Sequence, residues 1–246
     1  MRLHKFIAES GYCSRRRAEE LIREGVVTVN NKVATIGQSV TDGDRVLIDG
    51  EPIGRQALKI YIALNKPKGY TCTNRRFKDE KNIFDLVDID ERLFIVGRLD
   101  KDSRGLVILT NDGEYTQKIT HPRFHHEKVY EVTVDMPKAS NPDITTPAKR
   151  GKSNVEESWA RDILLCLKKG IMQEGEFLVA KKASYLGNNK FKVTLTEGKK
   201  RQLRRMFGFL NLRVKDLVRV QIGNIKLDDL KEGRWQEIKN PQIGDN

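Results

Sequence analysis

The change of pattern between residues 51 and 59 constrains the fold most, because it divides the chain into two units that must each bury a core of their own. With 246 residues the chain is long for one domain and has ample length for two. Ahead of the connector, Leu3, Phe6 and Ile7 recur at helical spacing until Gly11 and Tyr12 interrupt them. Ser14 can cap a second helix running to Glu24, with Ala18, Leu21 and Ile22 on one face, and Gly25 ends it. VVTVNNKVA then predicts two short strands around an Asn-Asn turn, and DGDRVLID adds another strand. The polar connector implies that this first unit, residues 1–55, can move until a partner fixes it.

From residue 60 to 246 the pattern mixes strands and helices. IYIALNKP reads as a strand ended by Pro67, and FIVG and LVILTNDG as strands flanking a loop, the second closing in an Asn-Asp-Gly turn. KVYEVTVDM alternates as a strand does, and FLVAKKASYL and KFKVTLTEG predict a further pair. Residues 137–158, rich in Pro, Lys, Ser and Asn, predict a surface connection, and a helix is expected over about 200–210. The fold class is α+β, with no internal repeat.

Lys and Arg number 46 against 34 Asp and Glu, giving a net charge of +12 and a pI near 9.6. Such an excess attracts polyanions, since each neutralised phosphate releases counterions. A membrane surface would attract it too, but no basic amphipathic helix with exposed aromatics is present, and no apolar run approaches the roughly 20 residues that span a bilayer. Nucleic acid is the better partner. The opening MRLHKFIAESGYCSRRR lacks the apolar stretch of a secretory signal, so a cytoplasmic protein is expected. Cys13, Cys72 and Cys166 are distant and odd in number, and the four His come without CxxC or HExxH, so neither a disulfide framework nor a metal site is expected. His125 and His126 are expected to face RNA or cap a loop.

Two segments can carry chemistry. GRLDKDSRGLVILTNDG, residues 97–113, sets Asp100 and Asp102 in one Gly-bounded loop with Arg98, Lys101 and Arg104; composition does not choose between the two aspartates, and a solvated loop with local ion pairs would look the same. EGKKRQLRRMF, residues 197–207, places Leu203, Met206, Phe207 and Leu210 on one helical face. Arg201 and Arg205 lie roughly opposite, toward solvent or phosphate. Arg204 borders the apolar face, where it could enter a cleft and grip a carboxylate, or form a surface ion pair.

Residues 4–48 closely resemble the S4 RNA-binding domain, which implies that the helix pair and its cluster Arg15, Arg16 and Arg17 dock on structured RNA. The order KPKG (66–69), GRLDKDSRGLVILTNDG, EKVYEV (127–132) and EGKKRQLRRMF resembles the bacterial RNA pseudouridine synthases that carry an S4 domain, over residues 1 to about 230. The resemblance implies a catalytic domain over residues 60–246 on a mixed, largely antiparallel sheet. It makes Asp100 the catalytic residue and Asp102 non-catalytic, with Arg98 near an extruded nucleotide. Tyr130 would stack beside the target base, Leu203 would help form an apolar floor, and Arg204 would pair with Asp100. Lys66 and Pro67 look structural, shaping the strand end beside the pocket. No cofactor is implied. The substrate is expected to be ribosomal RNA, with the large subunit favoured on GYTCTNRR and GRLDKDS and transfer RNA as an alternative, and the protein a monomer. The rival class is a non-catalytic RNA-binding or ribosome-assembly factor, which would need no carboxylate in a basic cleft. A soluble phosphate-binding enzyme would need a GxxxxGK or GxGxxG loop, which the sequence lacks.

Overall fold

The structure, a computed structural model, describes residues 1–54, 58–135, 152–239 and 241. The first unit contains α1 (Leu3–Glu9), α2 (Arg15–Arg23) and a small antiparallel sheet of β1 (Val27–Val29), β2 (Lys32–Val33), β3 (Val46–Ile48) and β4 (Glu51–Ile53), in the order β2-β1-β3-β4. Its local chemistry follows the sequence closely. The Ser14 side chain accepts from the Arg17 amide at 3.1 Å, capping α2, and Gly25 leaves the helix at φ +77°. Asn30 and Asn31 turn β1 into β2 at φ 50° and 64°, a left-handed pair suited to a two-residue hairpin. Leu3, Phe6, Ile7, Ala18, Leu21 and Ile22 pack on Val27, Val29, Val46 and Ile48 as a separate core. This unit also touches the rest of the chain. Lys5 Nζ lies 2.9 Å from Glu114 Oε1, and Arg92 donates to the Cys13 carbonyl at 2.6 Å, so the freedom expected of the connector is opposed by these contacts; residues 55–57 lie outside the described residues.

The remainder is built on one large sheet. Its strands are β5 (Tyr61–Lys66), β6 (Phe94–Val96), β7 (Arg104–Thr110), β8 (Lys128–Asp135), β9 (Ile171–Gln173), β10 (Glu176–Leu178), β11 (Lys182–Gly187), β12 (Lys190–Leu195), β13 (Arg213–Ile222), β14 (Ile225–Lys226) and β15 (Trp235–Glu237). The order is β11-β12-β8-β13-β7-β5-β15, with β6 on β7, β14 on β13 and β9–β10 as a separate hairpin. All pairings are antiparallel except β7 with β13, so the sheet is mixed and largely antiparallel as expected. Among the described residues three α-helices accompany it: α3 (Gly113–Thr120), α4 (Lys152–Lys169) and α5 (Gln202–Phe209).

β7 is the axis of this sheet. Val107 and Leu109 face one core, while Leu106 and Ile108 face a second core, where they meet Tyr115 and Ile119 of α3. Strands buried on both faces read as continuous apolar runs, which is why LVILT stands out in the sequence. One edge of β7 pairs with β13 at Arg104 and Gly105, then with β6 from Ile108 to Thr110. Residues 97–103 leave the sheet where that edge changes partner, which lifts the GRLDKDS loop above it. Gly105 permits the close approach: at φ +105°, an added Cβ would lie 2.3 Å from the Arg219 carbonyl oxygen and 2.7 Å from its amide nitrogen, both backbone atoms. Gly105→Ala is therefore expected to destabilise the protein by more than about 4 kcal/mol, the range reserved for overpacking and forbidden backbone together. Equilibrium denaturation would show it, and a change under about 1 kcal/mol would refute the role given to this close approach.

Three elements differ from the sequence reading. Asp112 closes no simple turn; its carboxylate accepts from the Glu114 and Tyr115 amides and caps α3. The connection expected over 137–158 lies outside the described residues up to 151, and from Lys152 the chain is helical: α4 sets Ala160, Ile163 and Leu167 inward, with Trp159 edge-on to Tyr185 and Phe191. FLVAKKASYL is two strands, because the Ala180 amide turns aside to donate to Leu167 at the end of α4. Among the described residues no helix is long and apolar enough to cross a membrane.

Candidate active site

The loop between β6 and β7 opens on a cleft of about 790 Å³. Arg98, Asp100, Tyr130, Arg201 and Leu203 all line it, so five residues singled out in the sequence meet in one place. Cys72, Leu99, Leu195 and Leu217 complete its apolar part, and Lys199 and Lys200 stand with Arg98 and Arg201 at its basic side. Tyr130 sits mid-strand on β8, opposite Val193 of β12 and Arg219 of β13, and is only 8% exposed. Leu203 comes from the apolar face of α5, which it shares with Met206 and Phe207 as the helical spacing requires.

Arg204 corrects one expectation. Its guanidinium does not pair with Asp100. Nε lies 3.2 Å from the Asp102 carboxylate, Nη2 donates to the Asp102 carbonyl at 2.9 Å and reaches Ser103 Oγ at 3.4 Å, and Nη1 donates to the Val214 carbonyl at 3.2 Å. The two Nη groups clamp the loop to α5 and β13, and the side chain lines a neighbouring groove with Asp102 and Lys68 instead of the main cleft. The cation beside Asp100 is Arg201, whose Nη1 is 3.8 Å from Asp100 Oδ2 and 3.1 Å from Asp102 Oδ1. Arg201 reaches both because it precedes α5 in the left-handed conformation, φ +50°, a strained setting for a long side chain. Burial raises the Asp102 carboxyl, but the hydrogen bond from Arg201 and the charges of Arg204 and Arg201 outweigh it and hold the group below its usual range. Arg205 is corrected too. It faces Glu176, Glu174 and the Gln173 carbonyl, tying α5 to the β9–β10 hairpin, with its side chain mostly buried.

Two buried cations that sequence reasoning did not weigh, or weighed as simple strand ends, hold the loop from beneath. Lys66, at 0% exposure, shares its three N–H groups among four carbonyls: Ser103 at 2.7 Å, Pro67 at 3.0 Å, Asp100 at 3.2 Å and Lys101 at 3.4 Å. Burial pulls its pKa down to about 8 against the pull of nearby Cys72, Asp102 and Asp100. The structural role expected of Lys66 thus takes a specific form: it fastens the backbone on which Asp100 sits. Arg219 on β13, 1% exposed, donates to the carbonyls of Leu106 at 2.8 Å, Gly97, and Arg98 at 3.5 Å. The partial alternation in RVKDLVRVQI was the signal that could have revealed β13, though it gives no sign that Arg219 faces inward.

Asp216, also on β13, braces the loop's far end through Arg104 Nη2 at 2.8 Å and Lys68 Nζ at 2.6 Å. Burial works against its ionised form, but the hydrogen bonds and charges of Arg104 and Lys68 prevail and hold the carboxyl at about 2. A carboxyl lowered by folding stabilises the fold above its ordinary value of 3.8, and that contribution disappears as pH falls from there toward 2. Asp216→Asn is expected to lower stability at pH 7 by about 1 kcal/mol, screened by partial exposure, and to flatten the stability loss between pH 4 and 2. Denaturant titrations across that range would check it; an unchanged acid limb would contradict it.

In the first unit, Arg15 and Arg16 are exposed at the start of α2. Arg17 is engaged with Glu24 at 2.8 Å and Glu20 at 3.1 Å along its own helix. His126 is buried, so of the pair His125–His126 only His125 faces outward.

The profile of the family described as RNA pseudouridylate synthase matches residues 60–208, which contain all of the cleft lining except Leu217 and Arg219 of β13. The chain belongs to that family. The profile of the S4 domain matches residues 1–46. Among curated relatives, the chain is 38% identical over 247 residues to a dual-specificity RNA pseudouridine synthase, RluF, of Escherichia coli strain K12, covering 100% of this chain and 78% of that one. It is 37% identical over 248 residues to an uncharacterized RNA pseudouridine synthase of Borreliella burgdorferi, with 98% and 91% covered. It is 35% identical over 251 residues to ribosomal large subunit pseudouridine synthase B of Bacillus subtilis, with 98% and 93% covered. A crystal structure of a pseudouridylate synthase, 30% identical, superposes with a TM-score of 0.63 over 100% of this chain and 99% of that one. As a member of the family the chain is an RNA-modifying isomerase with an S4 domain ahead of its synthase fold.

Proposed function

We propose that this protein isomerises a specific uridine in ribosomal RNA, that of the large subunit foremost, with Asp100 as its catalytic carboxylate. The observation that carries this reading is the position of Asp100: a 38%-exposed carboxylate on a loop pinned by buried cations, opening into a cleft floored by Tyr130 and Leu203 and flanked by basic side chains. A pure RNA binder gains nothing from an anion there, since it repels phosphate. The large-subunit preference rests on the Bacillus subtilis relative's name and on the GYTCTNRR and GRLDKDS stretches. The dual-specificity relative favours a second reading, in which more than one RNA site is accepted; transfer RNA is the alternative that the sequence resemblance offers.

The reaction detaches uracil from C1′ and rejoins it through C5, with no net hydrolysis or redox change. A stacked uridine hides both atoms, so it must be extruded, at about a few kcal/mol. Arg15 and Arg16 on the S4 side and Arg98, Arg201 and Lys200 around the cleft supply phosphate contacts that offset this. Arg17 and Arg205, spent on carboxylates within the fold, are secondary in that role. Arg98 is exposed at the cleft and enters the space beside the extruded nucleotide. Tyr130 stacks on the uracil and Leu203 closes the pocket beneath it. Arg201 orients Asp100, while Arg204 positions the loop through Asp102 and Ser103. Asp100 then acts at the ribose–base unit, either by attack on C1′ or by proton abstraction toward a glycal. Residues 1–55 act as the RNA-docking unit and 60–246 as the catalytic unit, in a cytoplasmic monomer.

Carbodiimide-based pseudouridine mapping of ribosomal and transfer RNA tests this, using cells lacking the gene and rescued with wild type or Asp100→Asn. One uridine that loses its signal, restored by wild type alone, is the expected outcome. No changed site in either RNA overturns the substrate assignment.

A further inference from the structure

One cation in the cleft is unexplained by loop support or phosphate steering. Lys128 is 8% exposed, on the same face of β8 as Tyr130 two residues on, and lines the cleft. Its strand neighbours are Leu195 on β12 and Ile222 on β13, both apolar. Its ammonium has one long hydrogen bond, 3.5 Å to the His126 carbonyl, and no ion pair among the described residues. Burial and the like charge of Arg219 both push its pKa down. Arg219 cannot share an anion freely, because its guanidinium is taken up by the carbonyls of Gly97, Arg98 and Leu106. A buried ammonium kept beside another cation, with no carboxylate, is costly unless an anion arrives from outside.

We propose that Lys128 stabilises the negative charge that appears on the uracil ring when its bond to C1′ breaks. The proposal rests on the reading of the cleft given above. Heterolysis of the C1′–N1 bond sends the electron pair to the uracil, where it spreads over N1, O2 and O4; the ribose carbon goes on to Asp100 or to the glycal. The ammonium pairs with a carbonyl oxygen of the uracil anion and transfers no proton. Bonding of C5 to C1′ uses that electron pair and leaves a neutral ring, so the contact relaxes; loss of the C5 proton is then matched by protonation of N1, which gives the neutral product. Location favours the base over a backbone phosphate as the anion. Lys128 lies beside the base-stacking Tyr130 in the apolar interior, whereas phosphates meet the exposed Arg98, Lys200 and Arg201. A charge placed where the transition state develops one is worth most in such a water-poor setting.

The test compares wild type, Lys128→Met and Lys128→Gln in single-turnover reactions on the RNA found by mapping, made with uridine or with 5-fluorouridine at the target. Fluorouracil is the more stable anion and depends less on external help. With uridine, both variants are expected to react about 100-fold more slowly, with RNA affinity within about twofold of wild type. With 5-fluorouridine the deficit in forming the rearranged product is expected to shrink to about tenfold or less. Equal deficits on both substrates overturn the proposal, as does weaker RNA binding with an unchanged single-turnover rate, which would assign Lys128 to a phosphate. Unchanged affinity also certifies that the variants fold. A wild-type protein inactive on every RNA overturns both this proposal and the reading beneath it, whereas active wild type with inactive Asp100→Asn leaves that reading intact whatever Lys128 does.

Discussion

Asp100→Asn is expected to bind its RNA within about twofold of wild type while turnover falls by at least about 10⁴-fold, the scale seen when a nucleophile or its partner is removed. Asparagine keeps the size and one carbonyl oxygen of the side chain but supplies neither the charge nor the basicity that either route needs. Folding should be indifferent, since Arg201 retains its shorter contact with Asp102 and the loop backbone keeps its bonds to Lys66. Affinity is set by phosphate contacts, and removing an anion from a basic cleft does not weaken them. Rapid-quench kinetics with filter binding would separate the two quantities. Turnover retained above about a hundredth of wild type would remove Asp100 from the mechanism and make Asp102 the carboxylate to test.

Lys66→Met is expected to lower stability by about 3 kcal/mol, because its four carbonyls lose their shared donor inside the protein. The Asp100 and Lys101 carbonyls keep other partners, the amides of Ser103 and Gly69, which limits the loss. For a chain of this length that corresponds to a fall in Tm of roughly 6–12 °C. The same change should reduce kcat about 100-fold with RNA affinity little altered, since a carboxylate displaced by about 1 Å costs that much. Calorimetry and single-turnover kinetics check the two halves. A variant with normal kcat and lowered Tm would show that the ammonium holds the fold without setting the position of Asp100.

The parts legible in the sequence are those with local causes. Ser14, Gly25 and the Asn30–Asn31 turn announce their elements through capping and left-handed backbone, and the run LVILT announces a strand buried on both faces. The cleft residues Asp100, Tyr130 and Leu203 were reachable through motif order, which the structure then assembles. Contacts set by tertiary geometry were not legible. Helical spacing places Arg204 at the border of an apolar face, but whether its fork meets Asp100 or Asp102 depends on how residues 97–103 fold over β7 and β13. α4 was hidden because its described apolar face, Trp159, Ala160, Ile163 and Leu167, follows a Lys- and Ser-rich stretch that reads as loop. Lys128 and Arg219 look like solvated strand charges until the sheet order shows them facing the interior.

The placement of β13 has a consequence for how the enzyme comes into being. This strand lies between β8, which carries Tyr130, and β7, which follows the loop of Asp100, yet it is made long after both. On a ribosome adding about 5–20 residues per second, the stretch between the end of β8 and the start of β13 takes on the order of 5–15 s to emerge. Throughout that interval the two walls of the cleft have no strand joining them, while the local contacts of residues 1–54 already allow their own core to close. The core of the nascent chain's first unit can therefore close well before the cleft exists, and the cleft is completed late, in a single event, when β13 is inserted between β8 and β7.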